Sequence, residues 1–209
     1  MIIVAAMEKR GLMLDFGQVL VRPQPAAVVA GMAALAELDV DEFHRRYWRH
    51  RPGYDRGEPA NQYWRRVLGE SAPAARVIDE TIAALIDADA RSWTDYREEL
   101  WALAAAFRAR GGATAFLSNG VPEMMARVRA ERRLDDYFDV VLVSYEVGYT
   151  KPDPRIYELC LSRLGVSAPS ALFVDDRLEN VEGARRLGIE TVLFRGDASM
   201  DDVRRWTAI

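Results

Sequence analysis

The chain has 209 residues, half of them apolar and 29% charged, with a formal net charge of −4. That length and composition suit a globular fold of one domain with a sizeable insertion, or two small domains, able to bury a core without disulfides. Dispersed basic residues and the slight acidic balance argue against nonspecific nucleic-acid binding, and the single cysteine, Cys160, excludes an internal disulfide or a cysteine-built zinc site and fits a reducing cytoplasm.

In chain order, "MIIVAA" is apolar for six residues with no basic region ahead of it, so it reads as an extra strand or an early start codon rather than a secretion signal. No later run approaches the roughly 18 apolar residues of a membrane span, so a soluble, cytoplasmic protein without membrane contact is expected. Gly11–Phe16 reads as a buried strand. Helical patterns follow over Ala26–Leu38, Asp41–Arg51, Asn61–Leu68, Ala74–Asp89 and Tyr96–Arg110, punctuated by Pro23, Pro25, Pro52, Gly53, Gly57, Pro59 and Pro73. Strands at Ala113–Leu117, Asp139–Val143, Ala171–Val174 and Glu190–Phe194 then alternate with helices at Glu123–Arg132, Pro154–Leu164, Leu178–Leu187 and Met200–Trp206. Gly188 stands just past a helix end, as a left-handed stop requires. The pattern predicts an α/β fold: a doubly wound, parallel, five-stranded, Rossmann-like sheet built from residues 1–21 and 111–209, with an α-helical cap inserted over 22–110.

Ligands of such sheets bind beyond the carboxyl ends of the strands, where the strand order reverses. The first strand ends at Asp15, the second in Ser118-Asn119-Gly120, the third leads to Lys151, and the fourth ends in Asp175-Asp176 with Asn180 following. Each has a bland reading as a helix cap, a turn or an exposed lysine. Jointly, at four successive strand ends, they point to chemistry. Paired carboxylates with oxygen neighbours suit Mg²⁺, an aspartate beside it can attack phosphorus, and a lysine and a hydroxyl can balance phosphoryl charge.

The stretches "LMLDFGQVL", "AFLSNG", "GYTKPDPRIY" and "ALFVDDRLENVEGARRLGI" resemble, in order and separation, the motifs of the haloacid dehalogenase-like superfamily, whose members are mostly Mg²⁺-dependent phosphatases. The resemblance covers nearly the whole chain, and glycine two residues after the first aspartate is similar to a subgroup related to glucose-1-phosphate phosphatases and epoxide-hydrolase N-terminal domains. It implies Asp15 as nucleophile and metal ligand, with the Gly17 carbonyl as a second ligand. It further implies that Ser118, with Asn119 beside it, holds the phosphoryl group and that Lys151 neutralises charge. Asp176 would bind Mg²⁺ directly, Asp175 directly or through water, and Asn180 would orient the cluster. The implied substrate is a small phosphorylated metabolite, and the implied assembly a monomer or homodimer.

Gly17 departs from the pattern, which places the general acid/base aspartate there. Two compensations fit: a substrate that leaves without protonation, such as an anomeric, aryl or acyl phosphate, or a proton from the cap. For the second, "RPGYDRGEP" groups Tyr54, Asp55, Arg56 and Glu58, with Arg56 a candidate substrate contact; a polar turn between helices fits the same stretch. Tyr47, Trp48, Tyr63 and Trp64 read as packing between cap helices, His44 and His50 as surface residues, and Cys160 as core. Three other readings compete with the phosphatase. A 2-haloacid dehalogenase is disfavoured by the paired aspartates, and a phosphomutase by the missing acid. A binding or scaffold module has only Gly17 in its support.

Overall fold

The computed structural model describes residues 9–69 and 75–209; the "MIIVAA" run, Pro73 and the expected helix start at Ala74 lie outside them. The elements in order are β1 (Gly11–Leu14), α1 (Ala26–Leu35), α2 (Val40–Tyr54), α3 (Ala60–Leu68), α4 (Ala75–Ser92), α5 (Glu98–Ala109) and β2 (Ala113–Ser118). There follow α6 (Pro122–Glu131), β3 (Val140–Val143), α7 (Ser144–Val147), α8 (Pro154–Leu164), β4 (Ala171–Asp175), α9 (Leu178–Arg185), β5 (Glu190–Leu193) and α10 (Met200–Thr207).

The five strands form one parallel sheet in the order β3-β2-β1-β4-β5. Strand alternation sorts its side chains into two cores. Leu12, Leu14, Phe116, Leu172 and Val174 join a large cluster with Phe43, Tyr63 and Trp64, whereas Met13, Ala115, Leu117 and Phe173 pack with Ile156, Tyr157 and the fully buried Cys160 on the other face. Both faces are covered, as a parallel sheet requires. The chain winds outward from β1 through β2 to β3, then crosses to β4 and β5, so the strand order reverses between β1 and β4.

Register does the positioning. Leu14 lies level with Phe116 on β2 and with Val174 on β4, and the Asp15 N–H donates to the Val174 carbonyl at 3.0 Å. Asp15 and Asp175 are therefore brought side by side by the sheet itself, one residue past aligned partners, with Ser118 at the end of the neighbouring strand.

The expected strand to Phe16 stops at Leu14, and Phe16–Leu20 form one widened helical turn. Gly17 is extended (φ −60°, ψ 128°) and Gln18 left-handed (φ 59°), so the chain swings off the sheet while Phe16, Val19 and Leu20 stay buried. Helix α2 is capped by the Asp39 carboxylate, which accepts from the Glu42 N–H at 2.8 Å, and it continues through Pro52 to Tyr54 instead of ending at Arg51. Pro52 removes one backbone hydrogen bond from the last turn, and the burial of Arg51 and Tyr54 on either side offsets that cost. Helix α5 packs back on β2: Trp101 sits 5.5 Å from the Phe138 ring, and its indole N–H donates to the Leu20 carbonyl at 2.9 Å. The single turn α7 was not expected; it ends at Gly148 in the left-handed region (φ 75°).

Candidate active site

The carboxyl edge of the sheet gathers three carboxylates, Asp15, Asp175 and Asp176, each offering an oxygen within 4.8 Å of the others. Lys151, brought in by the segment between β3 and α8, is buried among them. Its ammonium donates to Asp15 Oδ1 at 2.6 Å, to Asp175 Oδ2 at 2.7 Å and to the Leu117 carbonyl at 2.9 Å. Asn119 clasps the lysine backbone from both sides: its Nδ2 donates to the Lys151 carbonyl at 2.9 Å, and its Oδ1 accepts from the Lys151 N–H at 2.8 Å. The loop after β2 and the Lys151 segment are thus tied together. Ser118, the last residue of β2, is buried beside them and lines the same pocket.

The two adjacent aspartates differ. Both Asp175 oxygens already accept protein donors: Oδ1 from the Arg177 N–H at 2.8 Å and Asn180 Nδ2 at 3.0 Å, Oδ2 from Lys151 and from Asn180 at 3.1 Å. Asp176 is half-buried and receives the Gln18 amide at 2.8 Å on Oδ2. Burial, then repulsion from Asp175, pushes the Asp176 carboxyl up to about 6. Asp15 is pushed well above the usual carboxylate range, first by burial and then by Asp175 and Asp176, against the opposing pull of Lys151. The Lys151 ammonium is raised: the attraction of Asp15 and Asp175 outweighs the cost of burying it.

The pocket over this cluster has a volume of about 70 Å³, and α2 and α4 supply its far wall with Trp48, Arg51, Asp55 and Trp93. Arg51 and Asp55 lie four residues apart on one helix face, buried, with Arg51 Nε donating to Asp55 Oδ1 at 2.8 Å. Arg51 also donates to the Tyr47 hydroxyl and stands 3.5 Å from Asp89 Oδ2. Asp89 Oδ1 in turn accepts from Tyr47 at 2.7 Å, Gln24 at 3.1 Å and Trp93 at 3.2 Å. Burial raises the Asp55 carboxyl despite Arg51.

The residues singled out in "RPGYDRGEP" separate cleanly. Tyr54 is buried with its hydroxyl on Glu123 at 2.7 Å, Glu58 pairs with Arg66 at 2.8 Å, and Arg56 is exposed and is not among the residues lining the pocket. Asp55 alone of the four faces it. Tyr47, Tyr63 and Trp64 are packed in the core, while Trp48 is half-buried at the pocket wall. Arg51, Trp93, Gln18, Met124 and Arg177 also line the pocket and were not singled out from sequence. For Arg51 a signal existed: Tyr47, Arg51 and Asp55 repeat at four-residue spacing, placing a guanidinium on the aromatic, buried face of α2.

Comparison with known proteins gives the family. Among curated proteins, a phosphoserine phosphatase of Thermus thermophilus is 35% identical over 136 residues, 64% of this chain and 55% of that protein, so the match spans little more than half its length. A phosphatase of Mycobacterium tuberculosis is 33% identical over 150 residues, 71% of this chain and 67% of that protein. In fold, the chain matches a haloacid dehalogenase family enzyme of Bacteroides thetaiotaomicron solved with magnesium and inorganic phosphate, with a TM-score of 0.73 at 18% identity over 90% of this chain and 96% of that one. The family model of haloacid dehalogenase-like hydrolases matches residues 9–188, and the chain belongs to that family.

Proposed function

We propose that the protein is a Mg²⁺-dependent phosphatase that hydrolyses a small phosphorylated metabolite through an aspartyl-phosphate on Asp15. The observation that carries this reading is the charge balance at the sheet edge: three carboxylates within 4.8 Å of one another share a single buried ammonium. The excess of negative charge and the all-oxygen donor set fit a hard divalent cation. The carboxyls of Asp15 and Asp176 are raised first by burial and further by their acidic neighbours. Asp15 and Asp176 would hold the ion with the Gly17 carbonyl; Asp175, whose oxygens are engaged by Lys151, Asn180 and Arg177, would contribute through water. Bound Mg²⁺ would supply the charge neutralisation that lets an anionic nucleophile approach an anionic phosphoryl group.

The chain's own residues do the rest. The register of β1 and β4 and the Lys151 ammonium fix the Asp15 carboxylate for attack on phosphorus. Lys151 and Ser118 stabilise the phosphoryl oxygens as charge spreads over them. Asn119 holds Lys151 in place, and Asn180 orients Asp175. Helix α2 and the end of α4, from the segment expected to act as a cap, wall the pocket, while α5 packs on β2. The cavity of about 70 Å³ suits a phosphoryl group held against the sheet edge and a small substrate. The two relatives named as phosphatases support the reaction class.

The test is phosphate release from p-nitrophenyl phosphate with Mg²⁺ or with EDTA, in the wild type and in Asp15→Asn. Turnover that needs Mg²⁺ and disappears in the variant is expected. A folded, Mg²⁺-binding protein without turnover would favour the binding-module reading.

A further inference from the structure

Gly17 leaves the position of the family's acid without a side chain, and no backbone constraint demands it. Its φ of −60° suits any residue, and an added Cβ would meet only Trp93, at 3.6 Å. A Cβ at Gly17 would therefore fit against the Trp93 wall of the pocket without strain. Of the residues lining the pocket, Asp15, Asp55 and Asp176 carry carboxyls, and Asp15 and Asp176 belong to the charge cluster at the sheet edge. The remaining ionisable groups there, Lys151, Arg51 and Arg177, are cations. Among the described residues, Asp55 is the one acid in the pocket outside the cluster.

We infer that Asp55 donates the proton to the leaving oxygen and later takes one from the attacking water, in place of the side chain that Gly17 lacks. This rests on the phosphatase reading. Three features of the structure equip it. Its backbone is pinned to the phosphoryl side of the pocket, because the Ser144 hydroxyl donates to the Asp55 carbonyl and accepts the Gly120 N–H at 3.1 Å, two residues past Ser118. Its carboxyl is oriented from one side, by Arg51 Nε on Oδ1. And its surroundings can hold a proton: Arg51 is shared between Asp55 and Asp89, two buried carboxylates against one guanidinium, with the Tyr47 hydroxyl between them. Arg177, from the loop after β4, is the other charged group acting on Asp55, and it favours the ionised form needed after donation.

The step balances without a further reactant. Asp15 attacks phosphorus, the P–O bond to the alcohol breaks, and the Asp55 proton passes to the departing oxygen. Water then attacks the phosphoryl group on Asp15 and gives its proton to Asp55, releasing inorganic phosphate and restoring both carboxyl groups to their starting states.

The experiment uses substrates that differ in their need for that proton. In the full-length wild type with Mg²⁺, kcat/KM across a series of substituted phenyl phosphates should depend only weakly on the acidity of the phenol. A steep dependence would mean that no acid acts and would overturn the inference without any variant. In Asp55→Asn, kcat/KM for glycerol 2-phosphate, which ends at departure of the alcohol and does not include the water step common to both substrates, should fall about 10²–10⁴-fold relative to kcat/KM for p-nitrophenyl phosphate, whose phenolate leaves without help. An equal fall on both substrates would make Asp55 a positioning residue for Arg51, and no fall on the glycerol phosphate would exclude it altogether; either result overturns the inference. Failure of the wild type to release phosphate from p-nitrophenyl phosphate would be a different failure, that of the phosphatase reading and, with it, of this assignment.

Discussion

Lys151→Met replaces the ammonium at the centre of the site with an apolar group of similar length. Its side chain is 1% exposed, and those of its partners Asp175 and Asp15 are 0% and 9% exposed. Removing one partner of a buried ion pair costs about 3–5 kcal/mol, because the other charge is left buried and unpaired. For a chain of this length each kcal/mol moves the melting temperature by about 2–4 °C, so a drop of about 6–20 °C is expected near neutral pH in EDTA. The pH dependence follows from the sign of the shift. Asp15 already titrates above its usual range, and loss of Lys151 raises it further. The native state then holds protons that the unfolded chain releases, so stability falls as pH rises above the ordinary carboxyl pKa. The deficit of the variant should therefore shrink when melts are taken from about pH 8 down to about pH 5, and shrink again at high pH when Mg²⁺ is added. A deficit that is constant across pH and indifferent to Mg²⁺ would refute the electrostatic account and reduce Lys151 to a packing residue.

Three further perturbations test other parts of the structure. Asp89→Ala strips the acceptor shared by Tyr47, Trp93 and Gln24 and leaves Arg51 short of a counter-charge; denaturant unfolding should show a loss of about 3–5 kcal/mol. Gly112→Ala would place a Cβ 2.3 Å from the buried Phe107 ring and should cost about 1–3 kcal/mol in the same assay. Gly17→Ala, by contrast, meets only an ordinary contact with Trp93 at an unstrained φ, and should stabilise by about 0.4–1 kcal/mol through the unfolded chain.

What the sequence revealed and what it hid have distinct physical causes. The sheet was legible because buried parallel strands are continuous apolar runs, and Pro154–Leu164 matches its expected bounds because proline opens it and glycine closes it. The polar residues at the strand ends were legible for a related reason: register alone carries Asp15, Ser118 and Asp175 to one edge. The pocket wall from the helical segment was legible only in part: Asp55 stood out in its polar loop, but Arg51 and Trp93 did not, since α2 and the end of α4 are joined through Asp89, which meets Tyr47, Arg51 and Trp93 over a separation that local periodicity does not encode. Pro52 misled in a specific way. Proline usually ends a helix, but here it sits in the last turn, and continuation of α2 is what brings Asp55 one turn beyond Arg51. The widened turn after β1 was equally hidden, because it depends on a left-handed glutamine, Gln18, whose amide reaches Asp176 across the pocket.

The central claim is that Asp15 becomes covalently phosphorylated. The most direct measurement is rapid acid quench of the protein turning over p-nitrophenyl phosphate in Mg²⁺, followed by peptide mass spectrometry. The account predicts one phosphoryl group on the peptide containing Asp15, absent in EDTA and in Asp15→Asn. Sustained turnover with no adduct on that peptide, undiminished in Asp15→Asn, would contradict it.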